Sequence, residues 1–117
     1  MKRIAPHLVV LRNFERRLTR LLTITNHLSK KWKGEAGWEK SYSVHLSRTL
    51  DVNDAAALLR GMRLNDTHRY EIATRLRILQ PKHRRICVRF TSRTGQPARW
   101  ILDPGWFSQL IKSVEKP

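Results

Sequence analysis

The chain has 117 residues, within the range of one domain, and 40% of them are hydrophobic and spread along its length, which excludes a disordered basic tail as its main description. Lys plus Arg number 24 against 9 Asp plus Glu, giving a formal charge of +15. The single cysteine, Cys87, excludes an intramolecular disulfide and fits a reducing, cytoplasmic interior.

Sixteen of the cations are arginine, whose planar fork matches phosphate oxygens in pairs. Self-repulsion of this size opposes a compact state unless a polyanion offsets it, and solubility needs far less charge. A nucleic acid is therefore the expected partner, with an acidic protein surface or an anionic membrane surface as alternatives. No stretch approaches the ~20 apolar residues of a membrane span. The longest apolar run, Leu8-Val9-Val10-Leu11, is too short for a signal-peptide core. His7, His27, His45, His68 and His83 fall at no paired metal-ligand interval, so no metal or other cofactor is expected.

In chain order, Leu11, Phe14, Leu18, Leu21, Thr25, Leu28 and Trp32 recur at spacings of three and four and predict a long helix over about 7–33. Pro6 precedes it, and Gly34 and Gly37 mark its end. A helix of that length runs to roughly 40 Å, more than a small core needs, so one end is expected to project or to pair with a second copy as a homodimer. Its other face carries Arg12, Arg16, Arg17, Arg20, Lys30, Lys31 and Lys33. An Arg-rich amphipathic start is also a feature of mitochondrial presequences, although the regular core-type patterning argues for a folded helix.

A Gly-containing loop, 34–40, follows. Residues 41–50 then alternate, with Tyr42, Val44, Leu46 and Leu50 on one side and Ser, His and Thr on the other, the pattern of a half-buried strand. Asp51 reads as an N-cap for a helix over 52–63. Leu64 to Thr67 reads as a turn and cap, and a second helix is expected over 68–79, although Tyr70–Leu79 also fits a strand. Pro81 is expected to end that element. Residues 84–102 predict a β-hairpin with Ile86, Val88 and Phe90 facing inward, Arg85, Cys87 and Arg89 outward, a bend at Gly95 with positive φ, and Ala98, Trp100 and Leu102 returning on the core side. Asp103-Pro104 starts a closing helix that buries Phe107, Leu110, Ile111 and Val114.

The expected fold class is therefore α+β. This order resembles that of a winged helix-turn-helix domain over about 60 residues: a long N-terminal helix, a strand, a helix-turn-helix pair (52–63 and 67–79), a hairpin wing with its tip at 92–96, and a C-terminal helix. Three antiparallel strands packed on helices are the alternative. The whole chain, 1–117, reads as one basic domain. The resemblance implies three binding surfaces: Arg12, Arg16 and Arg20 on the long helix; His68, Arg69, Arg75 and Arg77 on the recognition helix; and Arg84, Arg85, Arg89, Arg93 and Arg99 on the wing. The expected function is that of a regulator or accessory factor of a bacterial or mobile-element system, binding DNA somewhat in preference to RNA through arginine–phosphate contacts. An adaptor or inhibitor seated on an acidic protein surface is the second reading.

No catalytic signature is present, so the chain is not expected to be an enzyme. One segment, Arg85-Ile86-Cys87-Val88-Arg89-Phe90, resembles a strand of the small basic ribonuclease toxins of the RelE/HigB type. That resemblance implies Arg85 and Arg89 near RNA, with His83 or Lys82 as proton-transfer or charge-stabilising groups. Without it, Cys87 reads as a packing residue. Trp38 is the tryptophan expected to be exposed for base stacking, whereas Trp32 and Trp100 are in phase with core residues.

Overall fold

The computed structural model describes residues 4–28 and 37–116, and all their regular structure is helical. The described residues form four α-helices, α1 (Pro6–Asn26), α2 (Trp38–Gly61), α3 (Asp66–Thr94) and α4 (Pro104–Glu115), with a 3₁₀ turn at Trp100–Leu102. The expected α+β class, the strand at 41–50 and the hairpin wing at 84–102 are overturned, because those residues lie in α2 and in α3 and the 3₁₀ turn.

Helix α1 buries Leu11, Phe14, Leu18, Leu21 and Thr25, the stripe its spacing predicts, and adds His7 at its start. Pro6 occupies the first turn, where a missing N–H costs nothing. The helix ends at Asn26, well before the expected glycines, with the His27 N–H closing onto the carbonyls of Ile24 and Thr25. Its 21 residues span about 32 Å. The apolar stripe of its described residues is covered by α2 and α3 of the same chain. The predicted residues 29–33 of that helix, with Lys30, Lys31, Trp32 and Lys33, and the first part of the 34–40 loop lie outside the described residues.

Helix α2 explains how a strand pattern arises inside a helix. Its buried stripe runs through His45, Thr49, Val52, Ala56 and Leu59, spaced four, three, four and three, with Ala55 buried beside it. The first two are polar, so the helical period is invisible to a hydrophobicity count. Tyr42, Val44, Leu46 and Leu50, the residues whose alternation predicted a strand, are instead 39–44% exposed. Each polar group in the core finds a partner. The Thr25 hydroxyl donates to the Leu21 carbonyl at 2.7 Å and accepts from His45 Nε2 at 3.0 Å. The Thr49 hydroxyl donates back to the His45 carbonyl at 2.8 Å. Asp51, expected as an N-cap, is mid-helix and pairs with Arg48.

Helix α3 merges the predicted 68–79 element with the first arm of the predicted hairpin. Its buried stripe of Ile72, Leu76, Leu79, His83, Ile86 and Phe90 keeps the helical spacing through Pro81. Pro81 sits on the exposed side and removes one backbone donor rather than ending the helix. The packing of the residues on either side outweighs that loss. The helix begins inside the expected 64–67 turn, at Asp66 rather than His68, where the Asn65 side chain accepts from the His68 N–H at 2.8 Å. Gly95 does take positive φ (69°), but as the left-handed residue that terminates a helix, with its N–H on the Thr91 carbonyl at 2.9 Å. Val88 is exposed and Cys87 is buried, the reverse of the hairpin expectation. Trp100 is about half exposed and Ala98 exposed, while Leu102 is buried as expected.

Helix α4 follows its sequence closely. The Asp103 side chain accepts from the Gly105 N–H at 3.0 Å, and Phe107, Leu110, Ile111 and Val114 are buried.

Cross-helix partners fix the directions. Arg17 reaches the Asp51 carbonyl and Thr25 meets His45, so α1 and α2 are antiparallel. His7 meets Glu71, Glu15 meets Arg75, Thr19 meets Lys82 and Asn26 meets Arg89, so α1 and α3 run parallel. Arg77 pairs with Glu115 and Gln80 with Ser108, which makes α4 antiparallel to α3. A winged helix requires α2 and α3 to pack as a helix-turn-helix. Instead both pack along α1, and α2 touches α4 more lightly.

Candidate nucleic-acid interface

The parallel α1/α3 pair presents one continuous cationic face. Between Arg16 and Asn26 of α1 there is no acidic residue, and between Ile72 and Thr94 of α3 there is none either. Over that length α3 carries Arg75, Arg77, Lys82, Arg84, Arg85, Arg89 and Arg93. Lys82, Arg85 and Arg89 follow one another at three and four residues and so share a side of the helix. That side adjoins α1. Lys82 Nζ donates to Thr19 Oγ1 at 2.9 Å and Arg89 Nη1 to Asn26 Oδ1 at 2.6 Å. On the α1 side of the seam, Arg12, Arg16 and Arg20 are exposed. Near the N-terminal ends of the pair the seam widens into a groove of about 470 Å³, lined by Leu8, Arg12, Tyr70 and Ile78 together with the carboxylates Glu15 and Glu71, so the acid-free cationic face begins beyond it.

The sequence-derived arginines divide into three groups. Arg12, Arg16, Arg20, Arg84 and Arg85 are exposed, and none of them meets a carboxylate among the described residues. Arg89 belongs with them, bonded only to a neutral amide. Arg69, Arg75 and Arg77 are tied to Asp66, Glu15 and Glu115. Arg93 is turned inward and donates to the Leu28 carbonyl. Arg99, expected beside Arg85 and Arg89 across a hairpin, lies instead with Tyr42, Leu46, Phe90 and Trp100 around a cavity of about 110 Å³. Apart from Arg99, one helix therefore carries the residues that two separate surfaces, recognition helix and wing, were expected to hold, and Lys82 joins them.

The groups implied by the ribonuclease resemblance are not arranged for proton transfer. Residues 85–90 are helical. His83 is buried, with Nε2 donating to the Ile101 carbonyl at 2.6 Å and its ring against Trp106 and Phe107. Burial holds its pKa below the ordinary 6.5, partly countered by that hydrogen bond and by Asp103. Burial likewise pushes the Cys87 thiol up to about 12, with Asp103 adding to the rise, so the arginines nearby do not activate it. Burial lowers His45 to about 4. Trp38 is half-buried and edge-on to Tyr42, and Trp106 lies beneath Arg60, whose guanidinium is 5.5 Å from the ring centre.

One constellation escaped the sequence. His7 of α1 and His68 and Glu71 of α3 bring three ligand atoms within 4.8 Å of one another. The i, i+3 spacing of His68 and Glu71 is visible in the chain, but only the parallel packing of two helices brings His7 to it. Among the described residues no helix is long and apolar enough to cross a membrane. No protein-family model, no curated protein and no solved structure matches the chain.

Proposed function

We propose that this chain binds nucleic acid through its phosphate backbone, using the outer face of the α1/α3 pair. The observation that carries the reading is the acid-free run of both helices, where Arg16, Arg20, Arg85 and Arg89 stand without carboxylate partners among the described residues, with Arg12 one turn before that run and Arg84 on the flank of α3 nearer α4. Cations held on a rigid helical scaffold without local counter-charge attract a polyanion and release its condensed counterions on contact. The arginines point from helix sides rather than from a helix lodged in a groove. Backbone contact therefore dominates, with little reading of base edges. Duplex DNA is the first candidate and RNA the second.

The test is the affinity of the full chain for duplex DNA, single-stranded DNA and a structured RNA across a salt series. The reading expects tight binding at about 50 mM salt and a linear fall of log K with log salt. Absence of binding to all three at that salt would shift the partner to an acidic protein surface.

A further inference from the structure

We infer that His7, His68 and Glu71 form a binding site for a zinc-class divalent metal ion, clamping the N-terminal ends of α1 and α3 together. This site adjoins the N-terminal end of the phosphate-binding face, where Glu71 lines the same groove as Arg12, and it does not rest on that reading. His7 is buried at the first turn of α1, an uncommon place for a polar side chain with no capping role. Its Nε2 lies 3.4 Å from Glu71 Oε2. Two ligands of a tetrahedral ion, bonded at about 2.0–2.1 Å, stand roughly 3.3 Å apart, so this pair already has the spacing of two corners of such a site. His68 supplies the third ligand, one helical turn before Glu71 on the same side of α3.

The two imidazoles are stacked, with centroids 3.8 Å apart and planes 17° from parallel. In that pose their lone pairs run side by side. Coordination therefore needs the half-exposed His68 ring to turn about its side-chain bonds until its nitrogen converges with that of His7. Two imidazoles and one carboxylate make a nitrogen–oxygen donor set suited to zinc, cobalt or nickel rather than to calcium or magnesium. The Glu71 side chain is 44% exposed, which leaves the fourth position facing solvent and open to water. Glu71 is also the one negative charge of the trio, and it partly neutralises the ion in a strongly cationic protein.

The experiment titrates the full chain with Zn²⁺ alone by calorimetry and with Co²⁺ alone by visible absorption. It is repeated on His68→Ala, Glu71→Gln and, as a control, Cys87→Ser. His68 and Glu71 are partly exposed, so their variants should fold, which circular dichroism checks. The proposal expects one ion per chain, cobalt bands of a four-coordinate site, and a rise in the unfolding midpoint with metal. Loss of a mere outer-shell partner already weakens metal sites by about 10–100-fold, so each ligand substitution should cost at least that, with Cys87→Ser unchanged. No binding by the parent chain at about 1 mM metal overturns the proposal. So does binding that survives either His68→Ala or Glu71→Gln undiminished.

Discussion

Acidification should unfold this protein in a way that one buried imidazole controls. His45 lies in the core between α1 and α2, stacked on Phe90 at 5.0 Å. Its Nε2–H is committed to the Thr25 hydroxyl, because that hydroxyl spends its own proton on the Leu21 carbonyl. The folded protein therefore holds the neutral ring, and burial lowers its pKa from 6.5 to about 4. Above pH 6.5 both folded and unfolded chains carry a neutral imidazole, and the group makes no pH-dependent contribution. Below pH 6.5 the unfolded chain takes up a proton that the folded one refuses, so stability falls with pH until the folded pKa is reached. Across that window the loss from His45 alone is about 3 kcal/mol, a large share of a small domain's stability. Urea unfolding followed by tryptophan fluorescence at several pH values between about 7.5 and 4.5 measures it. His45→Gln, which keeps an N–H for Thr25 but does not titrate, should flatten the dependence by that amount. His83, shifted downward too, remains in both proteins and cancels in the comparison. Parallel stability curves for the parent and His45→Gln through this window would refute the reasoning.

Other perturbations test the packing and the ends of helices. Leu18→Ala, at a fully buried position of α1, should cost about 2–5 kcal/mol in chemical denaturation. Gly95→Ala should cost about 1–2 kcal/mol, all of it from the left-handed backbone, since an added Cβ there meets no atom within 4 Å. Arg85→Ala, at an exposed arginine with no ion-pair partner among the described residues, should leave stability within about 0.5 kcal/mol while weakening binding to nucleic acid.

The parts of the fold that were legible in the sequence are those where the core positions are apolar. The α1 stripe and the whole of α4 follow from spacing and capping, because Leu, Phe and Ile fill their buried positions. The α2 start was illegible because His45 and Thr49 occupy core positions while Tyr42, Leu46 and Leu50 remain partly exposed. Local alternation there reflects no burial pattern, and only the tertiary partner Thr25 explains the polar core. The C-terminal half of α3 misled for a related reason. Ile86, Val88 and Phe90 alternate like a strand, but the helical set Leu79, His83, Ile86 and Phe90 is completed by a histidine, and Pro81 mimics a terminator. The charge excess was legible at once. The alignment of the acid-free stretches of α1 and α3 was not, because that depends on the two helices running parallel, which no local signal encodes. The same holds for His7, whose neighbours come from a helix some sixty residues later.

The central claim is that phosphate is met on the α1/α3 face rather than by charge spread over the whole surface. Removing two charges there, by Arg16→Ala with Arg85→Ala, can be compared with removing two from the outer sides of α2 and α4, by Lys40→Ala with Lys112→Ala. The deciding measurement is the slope of log K against log salt for DNA binding by each pair. The account predicts a slope smaller by about 2 for the α1/α3 pair and nearly unchanged for the other. Equal changes in the two pairs, or none in the first, would contradict it.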